Sequence, residues 1–153
     1  MRRELDRLLE ILSRELRCYN ELAELLLEER ELLSSDDPKK LEELVKRQET
    51  IVLELRALEE ARLPLMRKIA QMKGLSSTQP TLSQLADLLE EPYGSIVSSY
   101  VERIKSLLSE IEELNAGNSY LSSKALEFVD GALRILSSAG VVPPKGKLVC
   151  DIA

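Results

Sequence analysis

A chain of 153 residues has room for one domain with a sizeable core, yet only 3% of its residues are aromatic, so Leu and Ile must do the packing, as in a helical bundle. The formal net charge of −6 gives no clustered positive footprint for a phosphate backbone or an anionic membrane face, so neither nucleic acid nor membrane insertion is expected. No run of about eighteen apolar residues occurs, and residues 1–10 are too acidic and too periodic for a signal or transit peptide; a cytoplasmic location is expected.

In chain order, Leu5, Leu9, Leu12, Leu16, Tyr19, Ala23, Leu26, Arg30 and Leu33 follow alternating steps of four and three, one stripe of a helix of about thirty residues that only Arg30 interrupts. Leu8, Ile11, Leu22 and Leu25 widen the stripe, so this helix should touch two neighbours. The segment Ser34-Ser35-Asp36-Asp37-Pro38 ends it and starts the next: Asp37 can cap exposed N–H groups, and Pro38 suits the first helical position. A connection this short implies an antiparallel pair. The second helix carries Leu41, Leu44, Gln48, Ile51, Leu55, Leu58, Arg62, Leu65, Ile69 and Met72 at the same spacing, with Pro64 predicting a kink near residues 60–64 or a break into two helices.

Residues 74–80 read as a loop, and Thr81 with Gln84 has the spacing of a capping box for a short helix bearing Leu82, Leu85, Leu88 and Leu89. The last long helix is expected to start near Ser95 and to carry Val97, Val101, Ile104, Leu108 and Ile111, after which the same steps reach Asn115, Asn118 and Ser122 and the seam turns polar. The expected fold is therefore all-α, an elongated antiparallel helical bundle or coiled coil with long helices and one short intervening helix. Residues 1–140 form a single domain in this reading: a charged hairpin over 1–73, a loop and short helix over 74–94, and a long C-terminal helix over 95–140, followed by an irregular tail over 141–153. Charge thins along the chain, from 15 Lys plus Arg and 17 Asp plus Glu in residues 1–73 to 6 and 10 in residues 74–153, leaving the later helix faces less committed to water.

Nothing in the pattern suggests catalysis, a cofactor or a metal. The chain has no His, its six Gly build no phosphate loop, and two distant Cys cannot make a zinc site unaided. Cys18 and Cys150 read as reduced thiols. The pairs Glu28–Glu29, Glu59–Glu60 and Glu112–Glu113 read as solvated helix faces balanced by Arg and Lys. After Leu114 the chain carries two apolar stripes, Leu121, Ala125, Phe128, Ala132, Ile135 and Leu126, Val129, Leu133, Leu136, leaving a narrow polar strip at Lys124, Glu127, Asp130 and Arg134. Both stripes can be core in a bundle of three or four helices, or one can face an apolar helix of a partner. Asn115 and Asn118 can fix register, mark where the bundle opens, or do both.

Together the Leu-rich first helix, the acidic turn, the run Leu41-Glu42-Glu43-Leu44-Val45-Lys46-Arg47-Gln48-Glu49, and Asn115-x-x-Asn118-x-x-Leu121-x-x-x-Ala125-Leu126-Glu127-Phe128 resemble the FlgN-type flagellar export chaperones over residues 3–140. The resemblance implies a cytosolic helical protein that binds hook-filament junction proteins through its C-terminal region before their export, with the flagellar export apparatus as a further candidate partner. It places Leu121, Leu126, Phe128, Val129, Leu133 and Leu136 on or beside the client-binding face, with Asn115 and Asn118 at its start. The tail departs from the short aromatic, Gly-containing ending common in that family. The alternative is a coiled-coil scaffold that self-associates through its seam, since so long a seam can close within one chain or between copies as a homo-oligomer.

Overall fold

Residues 1–35, 37–76, 79–118 and 123–136 are described by the computed structural model. They form five helices, α1 (Arg2–Leu32), α2 (Pro38–Met72), α3 (Leu82–Leu88), α4 (Tyr93–Asn118) and α5 (Ser123–Leu136), with no strand among the described residues, so the all-α bundle expected from composition is the fold observed. The tail from 141 to 153, including Cys150, lies outside the described residues, as does Leu121.

Local signals set most helix ends. The Asp37 side chain accepts from the Lys40 N–H at 3.2 Å, and Pro38 occupies the first turn, where its missing N–H is harmless. At the other end of α2, Gly74 takes φ 76°, and the N–H groups of Leu75 and Gly74 close on the carbonyls of Ala70 and Gln71, a Schellman ending that needs the left-handed conformation Gly adopts freely. Thr81 and Gln84 form the expected reciprocal capping box of α3. Pro64 lies inside an unbroken α2, so the helix does not divide there; Pro64 and Glu60 are both exposed, which lets water take the carbonyl freed by the missing N–H.

Helix α2 runs antiparallel to α1: Arg62 meets Glu15, Gln48 meets Glu29, and Lys68 Nζ lies 3.2 Å from Glu4 Oε1. Helix α4 lies on another side of α1 and parallel to it, with Tyr93 Oη donating to Asp6 at one end and Asn118 Nδ2 donating to the Leu26 carbonyl at the other. The buried residues of α1 are Leu5, Leu8, Ile11, Leu12, Glu15, Leu16, Cys18, Tyr19, Leu22, Ala23, Leu25, Leu26 and Glu29. The stripe expected from spacing is buried from Leu5 to Leu26, with Leu9 half-buried, and it is widened by Leu8, Ile11, Leu22 and Leu25 as expected. Arg30 and Leu33, the last two positions of the expected stripe, are exposed, as is Leu27. Glu29 and Glu112, expected on solvated faces, are buried.

The expected single helix over 95–140 is replaced by two. Helix α5 turns back along α4, its C-terminal Leu136 carbonyl accepting from Ser83 Oγ of α3 at 3.0 Å, and α3 packs at the start of α4, where Gly94 closely approaches the Leu89 and Ala86 carbonyls. The last helix thus packs on α4, α2 and α3 as a fourth, shorter member of the bundle.

Candidate functional site

The C-terminal end of α4 meets α1 and α2 in a buried polar junction. Asn118, 3% exposed, donates its amide to the Leu26 carbonyl at 2.7 Å, and Asn115 is buried one turn earlier. Glu29 and Gln48 complete the junction, both with no exposed surface, Gln48 Nε2 donating to Glu29 Oε2 at 3.3 Å. Burial pushes the Glu29 carboxyl above its ordinary range, while hydrogen bonds from Asn118 and Gln48 hold it back. Glu29 Oε1, Gln48 Oε1 and Asn118 Oδ1 have no partner, so the junction is under-satisfied. Gly117 is what lets Arg30 lie over this end of α4, since a Cβ there would sit 2.8 Å from the guanidinium.

Helix α5 begins beyond this junction. Leu126, Val129, Leu133 and Leu136 share one face, about three and four residues apart, and are buried with Ala125 and Ala132 in the common core. Phe128 and Ile135 lie at the edge of that face and are half-buried, Phe128 packing on the core. Of the residues assigned to the client face, the structure therefore gathers Leu126, Val129, Leu133 and Leu136 on one covered surface with Phe128 at its rim, and places Asn115 and Asn118 at the α4–α1 contact. Ile135 and Arg134 line a partly solvent-open recess of about 350 Å³ with Leu63, Arg67, Gln79, Pro80 and Thr81.

One polar residue of α5 departs from expectation. Asp130, expected on the polar strip, is 3% exposed; its Oδ2 accepts from Arg134 one turn on at 2.6 Å, and its Oδ1 has no partner. A buried acceptor left without a donor costs about 1–3 kcal/mol. Sequence reasoning also missed Glu15, 3% exposed and bonded to Arg62 at 2.7 Å. The available signal was on the other strand of the pair: Arg62 and Gln48 sit at seam positions of α2, and a charged or amide group there requires a polar partner on the facing helix.

Chemically the region consists of apolar packing with a few buried polar groups. Among the described residues no group of three or more His, Cys, Asp and Glu side chains is placed to hold a metal, and no helix is long and apolar enough to cross a membrane. Cys18 is a free thiol buried in α1, pushed up to about 12 by burial and by the neighbouring Glu54. A family model described as FlgN protein matches residues 1–145. No curated protein and no solved structure gives a match.

Proposed function

The chain belongs to the FlgN family, and from that premise we propose that it is a cytosolic flagellar export chaperone, not an enzyme, that binds hook-filament junction proteins through α5 and the segment leading to it. The family has the general role of a flagellar export chaperone. The observation that carries the finer reading is the composition of α5: Leu126, Val129, Leu133 and Leu136 make one continuous apolar face on a short helix. Such a face can pack against the amphipathic terminal helix of a client, contributing about 25 cal/mol per Å² of apolar surface removed from water. Shielding that helix keeps an assembly surface from aggregating until export. The self-associating scaffold has less support, because Ala125, Phe128 and Ala132 of one apolar stripe and Leu126, Val129, Leu133 and Leu136 of the other pack within one chain.

Titration calorimetry with purified hook-filament junction proteins, or peptides of their terminal helices, tests the reading. A 1:1 complex with a negative heat-capacity change is expected. Phe128→Asp should weaken capture by about tenfold or more while circular dichroism shows the α1–α2 hairpin intact, since a charge at the rim of the apolar face opposes its burial. Unchanged affinity in the folded variant would remove Phe128 from the site, and no binding by any junction protein would refute the client assignment.

A further inference from the structure

The face assigned to the client is covered in the resting protein. We propose that α5 is a displaceable helix, which leaves its groove on α2, α3 and α4 as a unit so that its apolar face and the vacated groove together receive an amphipathic client helix. The inference rests on the chaperone reading above and adds how that surface becomes available.

The covering is the first observation. Leu126, Val129, Leu133 and Leu136 are buried, so a client cannot touch them while α5 is docked. Fastening is the second. Helices α1, α2 and α4 are joined by Arg62 to Glu15, Gln48 to Glu29 and Asn118 to the Leu26 carbonyl. Helix α5 ends on the Ser83 hydroxyl, while its buried Asp130 bonds Arg134 of its own helix and leaves Oδ1 unpartnered. That ion pair travels with the helix, so release from the groove does not break it. The recess beside Ile135 and Arg134 is the third, because an edge that faces solvent on one side releases with fewer contacts broken.

The groove also specifies its visitor. Its present occupant is a 14-residue helix whose buried face is Ala125, Leu126, Val129, Ala132, Leu133 and Leu136. A partner helix of about four turns with small and branched apolar residues at three-and-four spacing matches that surface.

Thiol labelling tests displacement without any client. In a Cys150→Ser background, Val129→Cys reports on α5, and the buried Cys18 reports on α1 in the same molecule. Val129→Cys should react at least about tenfold faster than Cys18 in native buffer, the pattern of a local opening. Equal rates would mean that α5 opens only with the whole bundle and would overturn the proposal. Client dependence is then read with Leu63→Cys and Ile135→Cys, which line one recess, joined by a short bis-methanethiosulfonate that reductant removes. The bridged protein should bind the junction-protein helix peptide at least about tenfold more weakly, with recovery on reduction. Equal binding in both states would overturn the proposal and leave the chaperone reading standing. Fast labelling with no binding in either state would establish the displaceable helix and refute the chaperone reading.

Discussion

Arg62 is an arginine 2% exposed inside a helical core, and its guanidinium is held by Glu15 at 2.7 Å and lies 3.1 Å from the Met66 sulfur. Burial raises the Glu15 carboxyl while the adjacent guanidinium opposes it, and Arg62 keeps its charge because Arg cannot lose its proton. Breaking such a pair costs more than replacing it. Arg62→Met alone should lower stability by about 3–5 kcal/mol, because Glu15 is left buried and uncompensated, whereas Glu15→Leu with Arg62→Met should recover most of the loss. Urea unfolding of the four variants gives the coupling, and a double variant as unstable as the sum of the singles would show that the pair is not coupled. Glu29 predicts a pH effect of definite sign. Its folded carboxyl is raised above 4.5, chiefly by burial, so the folded state holds the proton more tightly than the unfolded chain. Its contribution to stability is full below about 4.5 and is lost as pH rises through the folded value. Glu29→Gln should remove that slope from urea midpoints measured between mildly acid and neutral pH; an unaltered slope would place the titration elsewhere. Arg62 and Gln48 were legible as seam residues from spacing alone. Glu15 and Glu29 were not, because their partners lie 47 and 19 residues away and nothing local distinguishes a buried Glu from a solvated one.

Short-range chemistry made several helix boundaries readable, among them the Asp37–Pro38 start of α2 and the Thr81–Gln84 box of α3. Division of the C-terminal region into α4 and α5 was not readable. Asn115 and Asn118 continue the seam spacing, and the two stripes beyond them keep a helical period, but periodicity records which residues share a face and says nothing of the direction in which the next helix runs. Burial of Asp130 follows from the same gap: once α5 turns back along α4, a residue expected on the polar strip lies inside the bundle. The contact of α3 with α4 yields a sharper prediction. A Cβ on Gly94 would fall 2.8 Å from the Leu89 carbonyl oxygen and 2.9 Å from that of Ala86. Both are backbone atoms, so no side chain can swing aside, and α3 itself must shift. Gly94→Ala should therefore cost about 1–3 kcal/mol despite the better helix propensity of Ala, read as a lower urea midpoint. A neutral or stabilising result would show that α3 rides loosely on α4.

At the scale of the molecule, all five helices share one core, but unequally. Helix α1 packs on α2 and α4 along most of its length, while α5, about 21 Å long against about 52 Å for α2, covers only part of the bundle. The family match over residues 1–145 bears out the resemblance read from the heptad seam and the Asn-x-x-Asn segment. Whether so long a seam closes within one chain or between copies was open from sequence, because a heptad pattern is satisfied equally by either. In the folded chain Leu55, Ile104 and Leu108 of the long helices and Leu126 and Leu133 of α5 belong to one buried cluster. The large apolar side chains that remain exposed among the described residues include Leu27 on α1, Leu53 on α2, Leu88 on α3 and Ile96 on α4, each on a different helix. Stable self-association needs about 1,200–2,000 Å² of complementary surface, which single exposed residues spread over four helices do not supply. The protein should therefore sediment as a monomer of 17.2 kDa across the micromolar range. Adding salt should leave that mass unchanged, since a monomer has no interface for salt to screen. A dimer that persists on dilution, and whose dissociation removes helical signal, would mean that α5 packs in solution against a second chain instead of its own, and the intramolecular core described above would have to be reassigned between two copies.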